Sequence, residues 1–295
     1  MNWANAFELM CYLLTAVLLF ALIKMRDSDG IFLFSAAAIV GYIMEMGAVA
    51  VTGIYKYSPE FWFSIGASPN QFPVFGGLMW GGLTVCAFYI CRRVFGKSKL
   101  TAFASGFLIV TMDLFLDVCA IRLSGGFWVW EGREIANTLS MESFFGVIWV
   151  NFLGYIIETP TVAFITMRKP ASCSLRGHFR WLGITVLGAL LVTAAGSGAA
   201  LGLDYLLGGK FSPVAFCFAW LAIFVCAVLR LKVSFVFDFM SVVVALFWTA
   251  MYVFCIAGLL YLRQVPVWLT VFAFACWGAT VFLSFARGRD MVKSL

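Results

Sequence analysis

Nine apolar runs, each about as long as a bilayer is thick, limit what this chain can fold into. They fall at about 4–23, 31–53, 74–94, 100–121, 144–166, 181–203, 212–230, 240–261 and 266–286, bounded by charge, Pro or Gly. A helix rises about 1.5 Å per residue, so roughly 20 apolar residues cross a hydrocarbon core of about 30 Å. Inside lipid only helices and closed barrels satisfy their own backbone. Barrel strands are shorter and alternate in polarity, which these runs do not. Only 12% of residues are charged, against about 25% in soluble domains. The chain is therefore expected to be all-α, a polytopic transmembrane helical bundle of about nine spans, with residues 1–295 as a single integral membrane domain. The eighth run is the least regular, because Asp238 sits near its start.

The connections between runs carry an orientation signal. One alternate set holds Lys24, Arg26, Arg92, Arg93, Lys97, Lys99, Arg168, Lys169, Arg176, Arg180, Arg230, Lys232, Arg287, Arg289 and Lys293. The other holds Lys56, Arg122, Arg133, Lys210 and Arg263, and together they account for all 20 basic residues. Basic loops stay in the cytoplasm, which predicts a cytoplasmic C-terminus and, with nine spans, an outer N-terminus. The net charge of +6 is thus a topology signal, and no nucleic-acid partner is expected. The 9 cysteines form no CxxC pair and read as packing residues. Residues before the first run include no basic region of a cleaved signal peptide. Oligomeric state is not legible.

Four acidic residues fall well inside runs: Glu45, Asp113, Asp117 and Glu158. No Lys or Arg lies deep in a run to pair with them. A lone charge at the bilayer centre costs about 2.5–3.5 kcal/mol on insertion scales, so these groups should face the bundle interior. Glu45, Asp113 and Asp117 share a depth, in the half away from the basic loops, and Asn151 joins them there. Asp113 and Asp117 are four residues apart and share one helix face. Two such carboxyls titrate as a pair, which is the division of labour a general acid and a general base require. The other reading is interhelical hydrogen bonding, and for Glu158, beside Pro160, the two readings balance. Two longer connections are aromatic. One carries Tyr55, Tyr57, Phe72 and Pro73, the other Trp128, Trp130 and Glu131. They read either as an interfacial belt or as a lid over a site.

Absences prune further. His178 is the only histidine and lies in a basic loop, which argues against histidine-ligated iron, haem and zinc. No buried Lys supports a retinal Schiff base, and no Gly-rich phosphate loop occurs. Membrane prenyltransferases need two Asp-rich motifs for Mg²⁺ diphosphate, and only one DxxxD is present. No cofactor is expected.

Three stretches, GYIMEMGAVAVTGIYKYS (41–58), DLFLDVCAIRLSGGFWVWEG (113–132) and FFGVIWVNFLGY (144–155), resemble the CruF-like carotenoid hydratases, which include the bacterioruberin-pathway enzymes. The resemblance covers about residues 40–160. It rests on Glu45, Gly47, Thr52, Gly53, Tyr55, Tyr57, Asp113, Asp117, Trp128, Trp130, Gly146, Asn151 and Gly154. Val118 and Ile148 stand where that family has Pro, and Tyr155 where it has Trp. The resemblance implies a bacterial or archaeal membrane enzyme that adds water to a terminal C=C of a carotenoid or related isoprenoid. By that reading Asp117 or Asp113 protonates the alkene and Glu45 activates water. Tyr55, Trp128 and Trp130 face the cation, and Tyr57, Asn151 and Tyr155 complete the substrate site. The partners implied are a lipophilic isoprenoid and the bilayer. A terpenoid cyclase would use the same acid, a proton-coupled transporter would use the same carboxylates as a relay, and an assembly protein would use them as interhelical glue.

Overall fold

The computed structural model describes residues 2–52, 55–130, 135–170 and 174–288. Gly53, Glu131, Arg133, Arg289 and Lys293, named above, lie outside the described residues. Within them nine α-helices follow one another: α1 (Trp3–Lys24), α2 (Ser28–Gly47), α3 (Val74–Phe95), α4 (Lys99–Ala120), α5 (Trp149–Thr166), α6 (Leu175–Leu206), α7 (Phe211–Arg230), α8 (Phe239–Leu262) and α9 (Val267–Ser284). Eight are long and apolar enough to cross a membrane. The exception is α5, which carries Asn151, Glu158 and Pro160. The protein is an α-helical integral membrane protein.

Exposure follows from the solvent. The best apolar window of α4 is 89% buried against 22% in α7, so α4 is the axis of the bundle and α7 belongs to its rim. Packing against α3, α5, α7, α8 and α9 encloses α4. Rim helices turn Leu191, Phe218 and Leu229 outward, a surface that only lipid accepts without cost.

The basic connections gather at one end. Lys24 lies over the Phe239 ring, Lys169 pairs with Asp29 at 2.9 Å and Arg93 with Asp238 at 3.0 Å. Strands β7 (Val233–Phe235) and β8 (Ala286–Gly288) pair there too. Every helix that starts at this end has a side-chain cap: Asp27, Ser98, Ser174 and Asp238 accept from the backbone N–H three residues on. Asp238 therefore opens α8 rather than interrupting it.

The opposite end holds the start of α1 and the connections 48–73 and 121–148. A π-helical turn (Ala48–Thr52) ends α2. Strands β1 (Tyr55–Tyr57) and β4 (Trp128–Trp130) pair antiparallel, as do β2 (Ser64–Ile65) and β3 (Phe72–Pro73). One sequence boundary is corrected here: α5 starts at Trp149, not near 144. Residues 143–148 turn back as β5 (Ser143–Phe144) and β6 (Val147–Ile148), with Phe145 and Gly146 at φ of 50° and 85°. Positive φ at both central residues is the geometry of a tight hairpin.

Candidate active site

The most extensively packed helix pair among the described residues, α2 with α3, positions the first carboxylate. A side chain at Gly77 would collide with the Tyr42 ring, and one at Gly41 with Trp80. Glycine at these two positions lets the helices approach until the Trp80 indole N–H donates to Glu45 Oε1 at 3.3 Å. The Tyr57 hydroxyl, from β1, donates to Glu45 Oε2 at 3.0 Å. Burial first, and the Glu45 charge second, push the Tyr57 phenol well above its ordinary range, so it stays a donor.

The second pair of carboxylates lies on α4. Asp113 and Asp117 are both buried. Asn151 of α5 donates to Asp117 Oδ2 at 2.5 Å, and Asp117 lies one turn from Asp113 on the same face of α4. Asp113 Oδ2 has no hydrogen-bond partner among the described residues.

These groups meet at a cavity of about 70 Å³ between α2, α3, α4 and α5. Glu45, Asp113, Asn151 and Tyr155 line it, and so do Tyr55, Tyr57, Trp128 and Trp130. Asp117 does not. It stands one turn behind Asp113, held by Asn151. The register of β1 and β4 sets Tyr55 opposite Trp130 and Tyr57 opposite Trp128. Side chains two apart share a strand face, so all four rings share one face of the ribbon and close the cavity. Ring centroids are 5.0 Å apart in the first pair and 5.8 Å in the second. The two aromatic connections form one cap rather than two separate belts. Trp130 Nε1, buried and lining the same cavity, also lacks a partner among the described residues. Among the described residues the lining contains no Lys, Arg or His.

Glu158 is buried on α5 but is not part of this lining. Among the described residues no group of three or more His, Cys, Asp or Glu is arranged to hold a metal ion.

Sequence reasoning missed two participants. Trp80 both binds Glu45 and packs on Tyr155, with ring centroids 4.8 Å apart. Its signal is the Gly-Gly-Leu-Met-Trp-Gly-Gly run at 76–82, because small residues in a span mark close helix approach. Glu8 is a fifth carboxylate inside a span and is fully buried. It accepts from the backbone N–H of Trp62 at 2.6 Å and of Phe63 at 3.0 Å, and from the Tyr12 hydroxyl at 3.1 Å. It fastens the 58–63 strap, whose Phe61 packs on the cavity residue Phe75 at 4.9 Å. Arg122 does similar work on the other connection, donating to the carbonyls of Ala136 at 2.8 Å and Phe145 at 3.0 Å.

Compared with protein-family models, curated proteins and solved structures, the chain matches none of them. The functional reading therefore rests on the site's own chemistry and on the resemblance of the three sequence stretches.

Proposed function

We propose that this protein is an acid-initiated, cofactor-independent enzyme of isoprenoid modification that hydrates a terminal C=C of a carotenoid or related isoprenoid, as the CruF-like resemblance implies. One observation carries the reading. In a cavity lined mainly by aromatic and apolar side chains, the buried atoms Asp113 Oδ2 and Trp130 Nε1 have no hydrogen-bond partner among the described residues. Buried polar atoms without partners mark where water or a ligand atom binds. One water needs at least about 10–15 Å³ of cavity, so about 70 Å³ leaves room for a water beside an alkene terminus.

In this mechanism Asp113 delivers its proton to the less substituted alkene carbon, leaving a tertiary cation. The rings of Tyr55, Trp128 and Trp130 face that cation. Water attacks the cation, and its released proton passes to Glu45, whose charge Tyr57 and Trp80 support. Asp117, held by Asn151, backs Asp113, and the proton taken up by Glu45 returns to Asp113 to reset the site. The net change is one water added. No oxidant or reductant is consumed.

A cyclase would begin with the same protonation, and a substrate π-bond would then capture the cation. Turnover in ¹⁸O-labelled water separates the readings. Hydration puts ¹⁸O into a new tertiary alcohol. A new ring without ¹⁸O would replace hydration by cyclisation, and no new product alongside proton-coupled uptake would replace both by transport.

The topology proposed with this reading has nine spans, α5 included, with the N-terminus outside and the C-terminus in the cytoplasm of a bacterial or archaeal cell. The collection of basic residues at one end supports it. A reporter fused after Leu295 is expected to be active only in its cytoplasmic form. Periplasmic activity would invert the orientation.

A further inference from the structure

At the basic end, far from the carboxylate site, lies a second and larger cavity of about 410 Å³. We propose that it is a binding site for a phosphate-bearing amphiphile.

Charge is the first observation. Arg92, Arg93, Lys97, Lys169 and Arg287 line the cavity, against the carboxylates Asp27, Asp29 and Asp238. Two of the cations are neutralised locally: Arg93 by Asp238 at 3.0 Å, and Lys169 by Asp29 at 2.9 Å. Asp27 caps α2. Arg92, Lys97 and Arg287 have no carboxylate partner among the described residues. Five cations against three carboxylates leave two positive charges in excess, which a phosphate dianion matches and a single carboxylate does not. The guanidinium fork is suited to bidentate phosphate binding.

The second observation is an orphaned polar group. Thr166, at the end of α5, is 8% exposed and lines this cavity, and its hydroxyl has no hydrogen-bond partner among the described residues. An oxyanion would satisfy it. The third is the rest of the wall. Leu33, Val85, Phe88 and Val236 give an apolar side, and the volume exceeds what a bare phosphate fills, lying in the range of small-molecule sites at about 300–1,000 Å³. The ligand is thus a phosphate monoester with an apolar substituent, whose dianion a zwitterionic diester such as phosphatidylcholine does not offer. A membrane phospholipid and a soluble phosphate ester both present that chemistry.

The test uses the purified full chain in detergent and reads the thermal midpoint during titration. One arm compares inorganic phosphate with chloride at equal ionic strength. The other compares dioctanoyl phosphatidic acid with dioctanoyl phosphatidylcholine. The midpoint is expected to rise with phosphate, with phosphatidic acid, or with both. A rise with phosphatidic acid alone assigns the site to a lipid headgroup, and a rise with inorganic phosphate shows that the phosphate group suffices. The R92Q/R287Q double variant should weaken the apparent affinity about tenfold or more, since two charge-assisted bonds are lost. Lys210→Gln, at the other end, should leave it unchanged. Arg92 also lies over the Phe88 ring, so its loss can disturb folding. Thr166→Val and Lys97→Gln avoid that problem and should each weaken affinity roughly fivefold. No rise with either phosphate probe, or full affinity in both of these milder variants, overturns the proposal.

Discussion

Asp113→Asn is expected to abolish turnover, by about 10²–10⁴-fold, while the protein folds and melts close to wild type. The amide preserves the shape of the carboxylic acid but cannot give up a proton with comparable ease. Asp113 lines the cavity with an oxygen that has no hydrogen-bond partner among the described residues, so the substitution breaks no bond to them at that atom. Asp117→Asn is expected to lose activity as severely. Its carboxylate is held by Asn151 at 2.5 Å and stands behind Asp113, so it works through its neighbour. A pair serving only as interhelical glue would behave differently, losing stability together with any activity. Steady-state turnover read beside thermal unfolding separates the two, and wild-type turnover in both variants would remove the pair from the mechanism.

The largest structural effect is expected at Glu8. Glu8→Ala strips the acceptor from two backbone N–H groups of the 58–63 strap and from the Tyr12 hydroxyl. A hydrogen bond typically contributes about 0.5–1.5 kcal/mol, so the three together predict a loss of roughly 1.5–4.5 kcal/mol. The thermal midpoint should fall, and the strap should become sensitive to proteolysis near Glu60. Turnover should fall too, because Phe61 of the strap supports Phe75 in the cavity wall. Glu8→Gln keeps one acceptor oxygen and should lie between. A wild-type midpoint for Glu8→Ala would mean the strap is held by its aromatic contacts and by the Asn2 and Asn5 hydrogen bonds to Glu60.

The helical runs were legible because bilayer thickness fixes span length and loop charge marks the ends. Asp238 looked like an interruption because an N-cap lies at a span boundary, where sequence alone does not distinguish it from a buried charge. Glu45, Asp113 and Asn151 could be read as neighbours because depth along a helix is countable from its ends. The ribbon of β1 and β4 was hidden, since three-residue strands pair across more than 70 positions of sequence, although Tyr-x-Tyr and Trp-x-Trp carry the period-two pattern. Glu8 was obscured by its place near the start of a span, where an acid reads as interfacial, and by partners that are backbone amides and so leave no trace in composition. Trp80 was obscured because glycine-rich packing is encoded by what is missing. Asp117 was placed on the right face, but a helix face does not reveal which of two carboxyls reaches a cavity one turn away.

The central claim is that a carboxylic acid in this cavity protonates an alkene. Solvent deuterium tests it most directly. The purified protein is incubated in D₂O with an acyclic polyene bearing isopropylidene ends, and the product is read by mass spectrometry and NMR. The expected result is one non-exchangeable deuterium on the carbon next to the new tertiary centre, in wild type and not in Asp113→Asn. Product formed without deuterium at that carbon, or formed equally by Asp113→Asn, would contradict the account.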